Sequence, residues 1–412
     1  MIELIVEQHA EDAAFLWRRR DEASRAPHYD LADLCAIDER VEAHLDGLRV
    51  AGDLGWEICE AALDEEDAGV VFTAAVLAVE RGDVPGIARV LDGGGAVPGP
   101  SPGFMSALGW VAFDNVARIL PGLLDPLCPA SLRHLGIAAC AAHRRDPGAA
   151  LTQALFDADL RLRARALRAV GELGRTDLLR DILEELGSAD EGCRFAAAWS
   201  AALLGDQAAV EVLRAIATAG GERSERACSL AVRRLDPKDG ADFLDFLGKR
   251  SELPRAAIVG AGALGDPSLA PWLIQCMDTP ALARIAGESW STITGIEIVG
   301  ALAGGPPEGF SAGPTDDPAD EDVAMDPDEK LTWPNAAAVR RLWTTRGPAF
   351  RPGVRYLLGS PMTPEWLQRV LGEAGQRRRA AAAMEITIRT PGTALFEVRA
   401  PGPRQRGALM AG

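Results

Sequence analysis

The sequence predicts an all-α fold: a right-handed α-solenoid of short helical repeats, each of about 30 residues, with helical caps at its N- and C-terminal ends. An arginine recurs at nearly constant intervals, at Arg133, Arg163, Arg194, Arg226, Arg255 and Arg284. An aspartate follows each of the first five, at Asp146, Asp177, Asp206, Asp236 and Asp266. The stretches between are rich in Ala and Leu, which favour helix, and about 30 residues accommodate two short helices and two turns.

Composition agrees with this fold. The chain has 412 residues, 48% of them hydrophobic but only 5% aromatic, so small aliphatic side chains must fill most of the core. A solenoid grows in one dimension, so this length does not require several globular domains. No stretch resembles a signal peptide or is long enough to span a bilayer, so we expect a cytoplasmic protein.

The charge of the chain excludes some classes of partner. The formal net charge of −17 argues against a general binder of nucleic acid or anionic membranes, because both contacts depend on Lys and Arg. The charge is uneven: thirteen Arg and four Glu give residues 331–412 a net +9, which leaves −26 on residues 1–330. We therefore expect a protein partner; the sequence does not reveal the oligomeric state.

Four regions follow from the patterns along the chain. We predict a helical N-terminal cap segment at 1–66, the repeats at 67–305, an acidic flexible insert at 306–330 and a mostly helical C-terminal cap at 331–412. In the first region, Asp30 is the predicted N-cap of a helix that has apolar residues at every third or fourth position. This helix is predicted to end at Gly52 and Gly55.

Within the second region we count seven or eight repeats. The earliest and most degenerate cover Val70–Arg81 and Met105–Phe113, and Gly93–Gly103 between them has the composition of a flexible loop. The insert has nine acidic residues between Glu308 and Lys330. Such a segment is either solvated or folds on a basic partner, and we favour the solvated interpretation. Helices are then predicted at Asn335–Trp343, from Thr363, and at Gln376–Ile388.

The two ends of the chain carry a family resemblance. Ile5-Val-Glu-Gln-His9 and Arg25-Ala-Pro-His-Tyr-Asp30 resemble the opening of a proteobacterial family of HEAT-repeat proteins of unassigned function, and Leu395-Phe-Glu-Val-Arg-Ala-Pro401 resembles its ending. The repeats are also similar to those of phycobilisome-lyase-like proteins. Members of the family are often encoded beside type VI secretion components, which implies an adaptor role by association only.

The arginine and aspartate columns allow two interpretations. They could form a ladder of ligand-binding charges, or each Arg could bond to a loop carboxylate or to helix-end carbonyls and so fix the stacking of repeats. Regular recurrence favours the structural interpretation, because a ligand rarely presents the same group to every repeat of a solenoid.

No catalytic motif is recognisable, and we predict neither a cofactor nor a metal. His9, His28 and His44 lie near acidic residues, but their spacing matches no ligand signature and the metal-site interpretation is disfavoured. The seven cysteines are scattered; most fall in apolar helical patterns, where they are expected to be small core residues.

Aromatic and arginine residues, which often anchor interfaces, concentrate at the two ends of the chain. The candidate partner-binding residues are Trp17, Arg18, Arg19, Arg20, His28 and Tyr29 at one end, and Trp343, Arg355, Tyr356 and Trp366 at the other. The alternative interpretation is that these side chains bury the open ends of the solenoid.

Three functions are consistent with the sequence. The favoured one is a non-catalytic scaffold or adaptor that binds a protein, such as a secretion effector or spike component. A bilin-lyase-like or other HEAT-repeat enzyme would need a reactive nucleophile or base that no His or Cys clearly supplies. A nucleic-acid-binding HEAT protein would need a basic groove, whereas residues 67–305 are acidic.

Overall fold

The computed structural model describes residues 2–65, 67–93, 101–313 and 325–411. These residues form 22 α-helices and one two-stranded hairpin. The first twelve helices are α1 (Glu3–Ala23), α2 (Leu31–Ala51), α3 (Asp53–Ala61), α4 (Ala68–Arg81), α5 (Val84–Gly93), α6 (Pro102–Trp110), α7 (Phe113–Leu123), α8 (Ala130–Ala142), α9 (Ala149–Ala154), α10 (Leu160–Leu173), α11 (Leu179–Glu184) and α12 (Glu191–Leu203).

The remaining helices are α13 (Ala208–Ala219), α14 (Ser224–Arg234), α15 (Pro237–Gly248), α16 (Pro254–Leu264), α17 (Ala270–Cys276), α18 (Pro280–Thr294), α19 (Ala336–Arg346), α20 (Pro364–Glu373), α21 (Gln376–Arg389) and α22 (Gly402–Ala411). Strand β1 (Tyr356–Leu357) pairs antiparallel with β2 (Ser360–Pro361).

The chain divides into two compact units. Unit 1 comprises residues 1–204 and 371–412, and unit 2 comprises residues 205–370. This division differs from the predicted boundaries, because the predicted C-terminal cap is shared between the two units.

Successive helix pairs make the repeats. In unit 1, α8, α10 and α12 are each the second helix of a pair, and each packs against the next. In unit 2, α14, α16 and α18 do the same, with α13, α15 and α17 as their first helices. The predicted all-α repeat fold is therefore confirmed.

Local signals account for the ends of many helices. The side chain of Asp30 accepts a bond from the backbone of Asp33, whose side chain accepts one from Asp30, so α2 begins at a capping box. At the end of α10, Gly174 adopts φ 69°, a left-handed conformation that closes a helix and that glycine tolerates best.

Some predicted element ends are wrong. Gly52 ends α2, but Gly55 lies inside α3, where its backbone closely approaches Leu48. Phe113 begins α7 rather than ending the helix before it. The β1–β2 hairpin was not predicted, because each strand is too short to show an alternating pattern. Part of the predicted Gly93–Gly103 loop lies outside the described residues.

The core of unit 1 lies between α1, α2, α4 and α6. Phe72 and Phe104 are fully buried there, and Trp17 stacks on Phe72 with ring centroids 5.1 Å apart. Ala and Val occupy most of the remaining interior, as the low aromatic content requires. None of the helices in the described parts of the chain is both long and apolar enough to cross a membrane.

Candidate functional site

The arginine column lies near the start of the second helix of each repeat. In unit 1, Arg133 donates to the carbonyl of Cys128 and pairs with Asp157. Arg163 donates to the carbonyl of Asp157 and pairs with Glu185, while Arg194 donates to the carbonyl of Ser188. Each of these side chains therefore holds the turn that precedes its own helix, which is the kind of contact expected of a structural role.

In unit 2 the column pairs with the region predicted as a solvated acidic insert. Arg226 lies in the first turn of α14. Arg255 binds Asp328 through two nitrogens, at 2.7 and 2.8 Å, and Arg284 binds Asp326 at 2.6 Å. Asp328 is only 3% exposed. For these two aspartates the prediction of solvation is wrong, because arginines of the repeats bind them. The middle of the insert lies outside the described residues.

The aspartate column occupies the turns between consecutive helix pairs. Asp206 and Asp236 accept bonds from backbone amides at the beginning of α13 and α15. Asp146 and Asp177 share Arg175 as an ion-pair partner. The last member, Asp266, is buried and accepts bonds from backbone amides before α17 and before β1.

Two of the predicted partner-binding residues at the N-terminal end are interior residues. Trp17 is 4% exposed and donates to the hydroxyl of Ser106. Arg20 is 5% exposed and bonds to Asp38 and to the carbonyls of Arg399 and Ala400. Neither side chain is accessible to a partner, so the prediction that they bind one is wrong. Both residues instead stabilise the packing of unit 1.

The other N-terminal candidates lie nearer the surface. Arg18 and Arg19 are exposed, and Arg18 pairs with Asp67. The rings of exposed His28 and half-buried Tyr29 lie 4.7 Å apart. The backbone carbonyl of Tyr29 accepts a bond from the backbone at the start of α21.

The C-terminal candidates form contacts within unit 2. Tyr356 is buried, and Arg355 donates to two carbonyls at the end of α16. The half-buried Trp366 donates to the carbonyl of Leu357. Trp343, also half-buried, lies against an indole of α18. The predicted candidates are thus divided between the two units: these four belong to unit 2 and the N-terminal six to unit 1.

A non-helical segment at residues 390–401, here called the strap, crosses the helix ends of unit 1. Its Leu395 donates to the carbonyl of Glu172 at the end of α10 and accepts from Arg144. After the strap, Arg404 donates to three successive carbonyls at the end of α6. The guanidinium of Arg404 thus binds carbonyls that a helix cannot satisfy internally.

A cavity of about 330 Å³ lies beneath the strap, between α1, α6, α8 and α10. Charged side chains around it are paired with each other: Glu172 with Arg165 and Arg168, and Glu397 with Arg144. Burial alone would raise the pKa of Glu172, but the arginines lower it to about 2. Glu172 is therefore ionised, and both carboxylates already have internal ion-pair partners.

A second cavity, of about 490 Å³, lies on the surface of unit 1 between α1, α3 and α4; we call it the N-terminal groove. The described residues that line it are Glu3, Glu7, Ala10, Glu11, Leu54, Glu57, Ile58, Cys59, Ala61, Ala62, Val70 and Thr73. Apolar side chains form most of this lining, and its charged members are the four glutamates.

The groove was not recognised from the sequence. Its glutamates recur in α1 at positions i, i+4 and i+8, but a charge row of this kind usually marks a solvated helix face. The signal becomes informative only when α3 places Glu57 and Ile58 opposite that row, which requires the tertiary fold.

The three N-terminal histidines do not come together at one site. His9 and His44 are neighbours, with their Nδ1 atoms 3.1 Å apart, whereas His28 lies against Tyr29. Among the described residues, no group of three or more His, Cys, Asp and Glu side chains is arranged to hold a metal. The Nε2 of His143 donates to a carbonyl of α6, and burial lowers the pKa of His143 to about 4.

The cysteines are free thiols, five of them buried. Burial raises the pKa of Cys59, Cys193 and Cys228 to about 12. Such thiols carry little thiolate near neutral pH, and the thiolate is the nucleophilic form.

Residues 148–231 match the family model of HEAT repeats. A comparison with the curated proteins found no significant match. A crystal structure described as that of an engineered protein is similar at 13% identity, with a TM-score of 0.32, over 95% of this chain and all of that one. The matched stretch covers α9 to α13 and most of α14, and so includes three of the column arginines. The central repeats are thus similar to HEAT repeats, a scaffold able to mediate protein interactions.

Proposed function

We propose that this chain is a non-catalytic scaffold that binds another protein through the N-terminal end of unit 1. The observation that carries the proposal is the uncovered face of α1. Leu4 is 72% exposed, Ile5 51% and Phe15 49%. Three exposed large apolar side chains on one helix favour a surface that contacts another molecule.

The positions of Leu4 and Phe15 on α1 support a single contact surface. Leu4, Glu11 and Phe15 are separated by seven and four positions, so they follow one face of the helix. The opposite face contributes Val6, Ala13 and others to the core, which anchors α1 firmly. A partner would therefore meet a rigid helix, which costs little ordering entropy on binding.

The resemblance of both chain ends to a secretion-associated HEAT-repeat family favours one kind of partner. We propose a secretion effector or a spike component of a type VI system, bound in the bacterial cytoplasm. The support for this identity is association alone, whereas the binding surface is argued from the contacts above.

The test is copurification from the native cell with the full chain as bait. We compare Leu4→Asp combined with Phe15→Asp against Val84→Asp combined with Phe156→Asp, two residues exposed elsewhere in unit 1. The α1 variant should lose a protein that wild type and the control variant both retain, with all three melting alike.

Two results would contradict the proposal. Retention of every copurifying protein by the α1 variant would place binding elsewhere. Absence of any specific protein with wild type, against a bait-free control, would remove the scaffold function.

A further inference from the structure

We propose that the N-terminal groove binds a cationic amphipathic helix of the partner protein, a segment with Lys or Arg side chains flanking an apolar stripe. The inference rests on the proposed scaffold function and specifies the chemistry of the partner. Its basis is the combination of an open apolar floor with an acidic rim that lacks internal counterions among the described residues.

The floor of the groove is apolar and accessible. Ala10 of α1, Ile58 of α3 and Val70 of α4 each pack against the core of unit 1 while remaining partly exposed. The hydroxyl of Thr73, the principal polar group at depth, donates to the carbonyl of Gly69 and is thus satisfied. An apolar side chain entering this space would leave no buried polar group of the floor unpaired.

The rim is acidic on both sides. Glu3, Glu7 and Glu11 line the α1 side and Glu57 the α3 side, and all four are exposed. Among the described residues, no Arg, Lys or His lines the groove. Within the same residues, none of the four carboxylates forms an ion pair or side-chain hydrogen bond. Many other acidic side chains of unit 1, at the ends of α4 for example, are paired with arginine.

The spacing of the carboxylates fits a helical occupant. Residues four apart on a helix are separated by about 6 Å along its axis, so the α1 row presents three charges over about 12 Å. Basic residues at i, i+4 and i+8 of a second helix repeat at the same interval. A helix laid in a groove with apolar anchors and flanking charges is a recurrent recognition mode.

The exposed apolar residues of α1 extend the contact beyond the groove. Phe15 continues the row of Glu3, Glu7 and Glu11 by one further step of four, and Leu4 lies beside that row. An amphipathic helix resting on α1 would cover them together with the floor. The charge complementarity selects a basic helix over an acidic or uncharged one.

The experiment titrates the full chain with a synthetic helical peptide of Leu and Lys, using fluorescence anisotropy. A peptide with Glu in place of every Lys is the ligand control. The groove variant combines Glu7→Lys with Glu57→Lys. The matched control combines Glu39→Lys with Glu184→Lys, which changes the net charge equally at two exposed glutamates outside the groove.

The Lys peptide should bind wild type and the Glu peptide should not. The groove variant should bind the Lys peptide about tenfold more weakly or worse, and the matched control should change by less than about twofold. Ala61→Trp, which fills the groove without changing charge, should also weaken binding. Melting curves verify that each variant is folded.

Equal weakening by the two charge variants would overturn the inference, because it would reduce binding to general attraction by an acidic protein. Failure of the Lys peptide to bind wild type would overturn it as well. If the copurifying protein still depends on Leu4 and Phe15 but not on Glu7 and Glu57, the scaffold function stands and only the cationic helix is refuted.

Discussion

At the scale of single residues, burial separates Trp17 from the surface residues with which the sequence groups it. The indole stacks on Phe72 and its N–H is satisfied by Ser106. Its neighbour Arg18 pairs with Asp67 at the surface. Residue type alone does not distinguish an interface anchor from a core side chain, because the same bulk and hydrogen-bonding capacity serve both.

Trp17→Ala should lower the free energy of unfolding by about 3–5 kcal/mol, as expected for a large buried aromatic side chain. Chemical denaturation of wild type and variant measures the change. His28→Ala, at an exposed aromatic position nearby, should change it by less than about 0.5 kcal/mol. A small effect at Trp17 would favour a surface role for its indole.

Half-buried histidines should make unit 1 sensitive to acid. Burial, with a smaller contribution from Arg404, lowers the pKa of His143 to about 4 from an ordinary value of 6.5. Between these values the unfolded chain binds more protons, so stability falls as the pH is lowered from 6.5 to about 4. After allowance for solvent screening, the loss should be about 1–2 kcal/mol.

His143→Gln removes this titration while its amide can still donate to the carbonyl of Leu108. Stability measured across that pH range should therefore decline less steeply in the variant than in wild type. Some slope should remain, because burial also lowers the pKa of His134 to about 4. An unchanged slope in His143→Gln would contradict the assignment.

At the scale of elements, the arginine column illustrates what a sequence can predict. Its regular spacing predicts where the second helix of each repeat begins, because each Arg lies in or near the first turn. Nothing in that spacing predicts that Arg255 and Arg284 take their partners from Asp328 and Asp326. Local periodicity determines the helices, whereas long-range pairing depends on how distant segments fold back.

The strap shows the same limit. Leu395 contacts the backbone of Glu172 and the side chain of Arg144, which lie far from it in the sequence. No periodic pattern in the sequence predicts these contacts. The resemblance at Leu395–Pro401 does not predict that this segment lies across α8 and α10. The groove was missed for the same reason, because its lining residues come together only when α1, α3 and α4 pack against one another.

Arg194→Ala tests the structural role of the column. Loss of its bonds to the loop carbonyls of Ser188 and Ala189 should lower the free energy of unfolding by about 1–3 kcal/mol. Partner capture per folded molecule should be unchanged. Arg180→Ala, at an exposed arginine of α11, is the control and should be nearly neutral. Normal stability with abolished capture would instead favour a ligand-binding ladder.

At the scale of the whole molecule, the charge distribution agrees with a basic protein partner. Residues 1–330 carry a net −26, so their acidic side chains outnumber the basic ones that could pair with them. The N-terminal groove places four such exposed carboxylates around one apolar floor. Association there should weaken with rising salt, since exposed charges are screened beyond about 8 Å at physiological ionic strength.

The most direct test of this account is hydrogen–deuterium exchange of the full chain, with and without a saturating Leu–Lys peptide. If the groove is the recognition surface, amide exchange should slow in α1 and α3, and exchange in α13 to α18 should be unaltered. Slower exchange confined to the strap or to unit 2, with none at α1 and α3, would contradict the account.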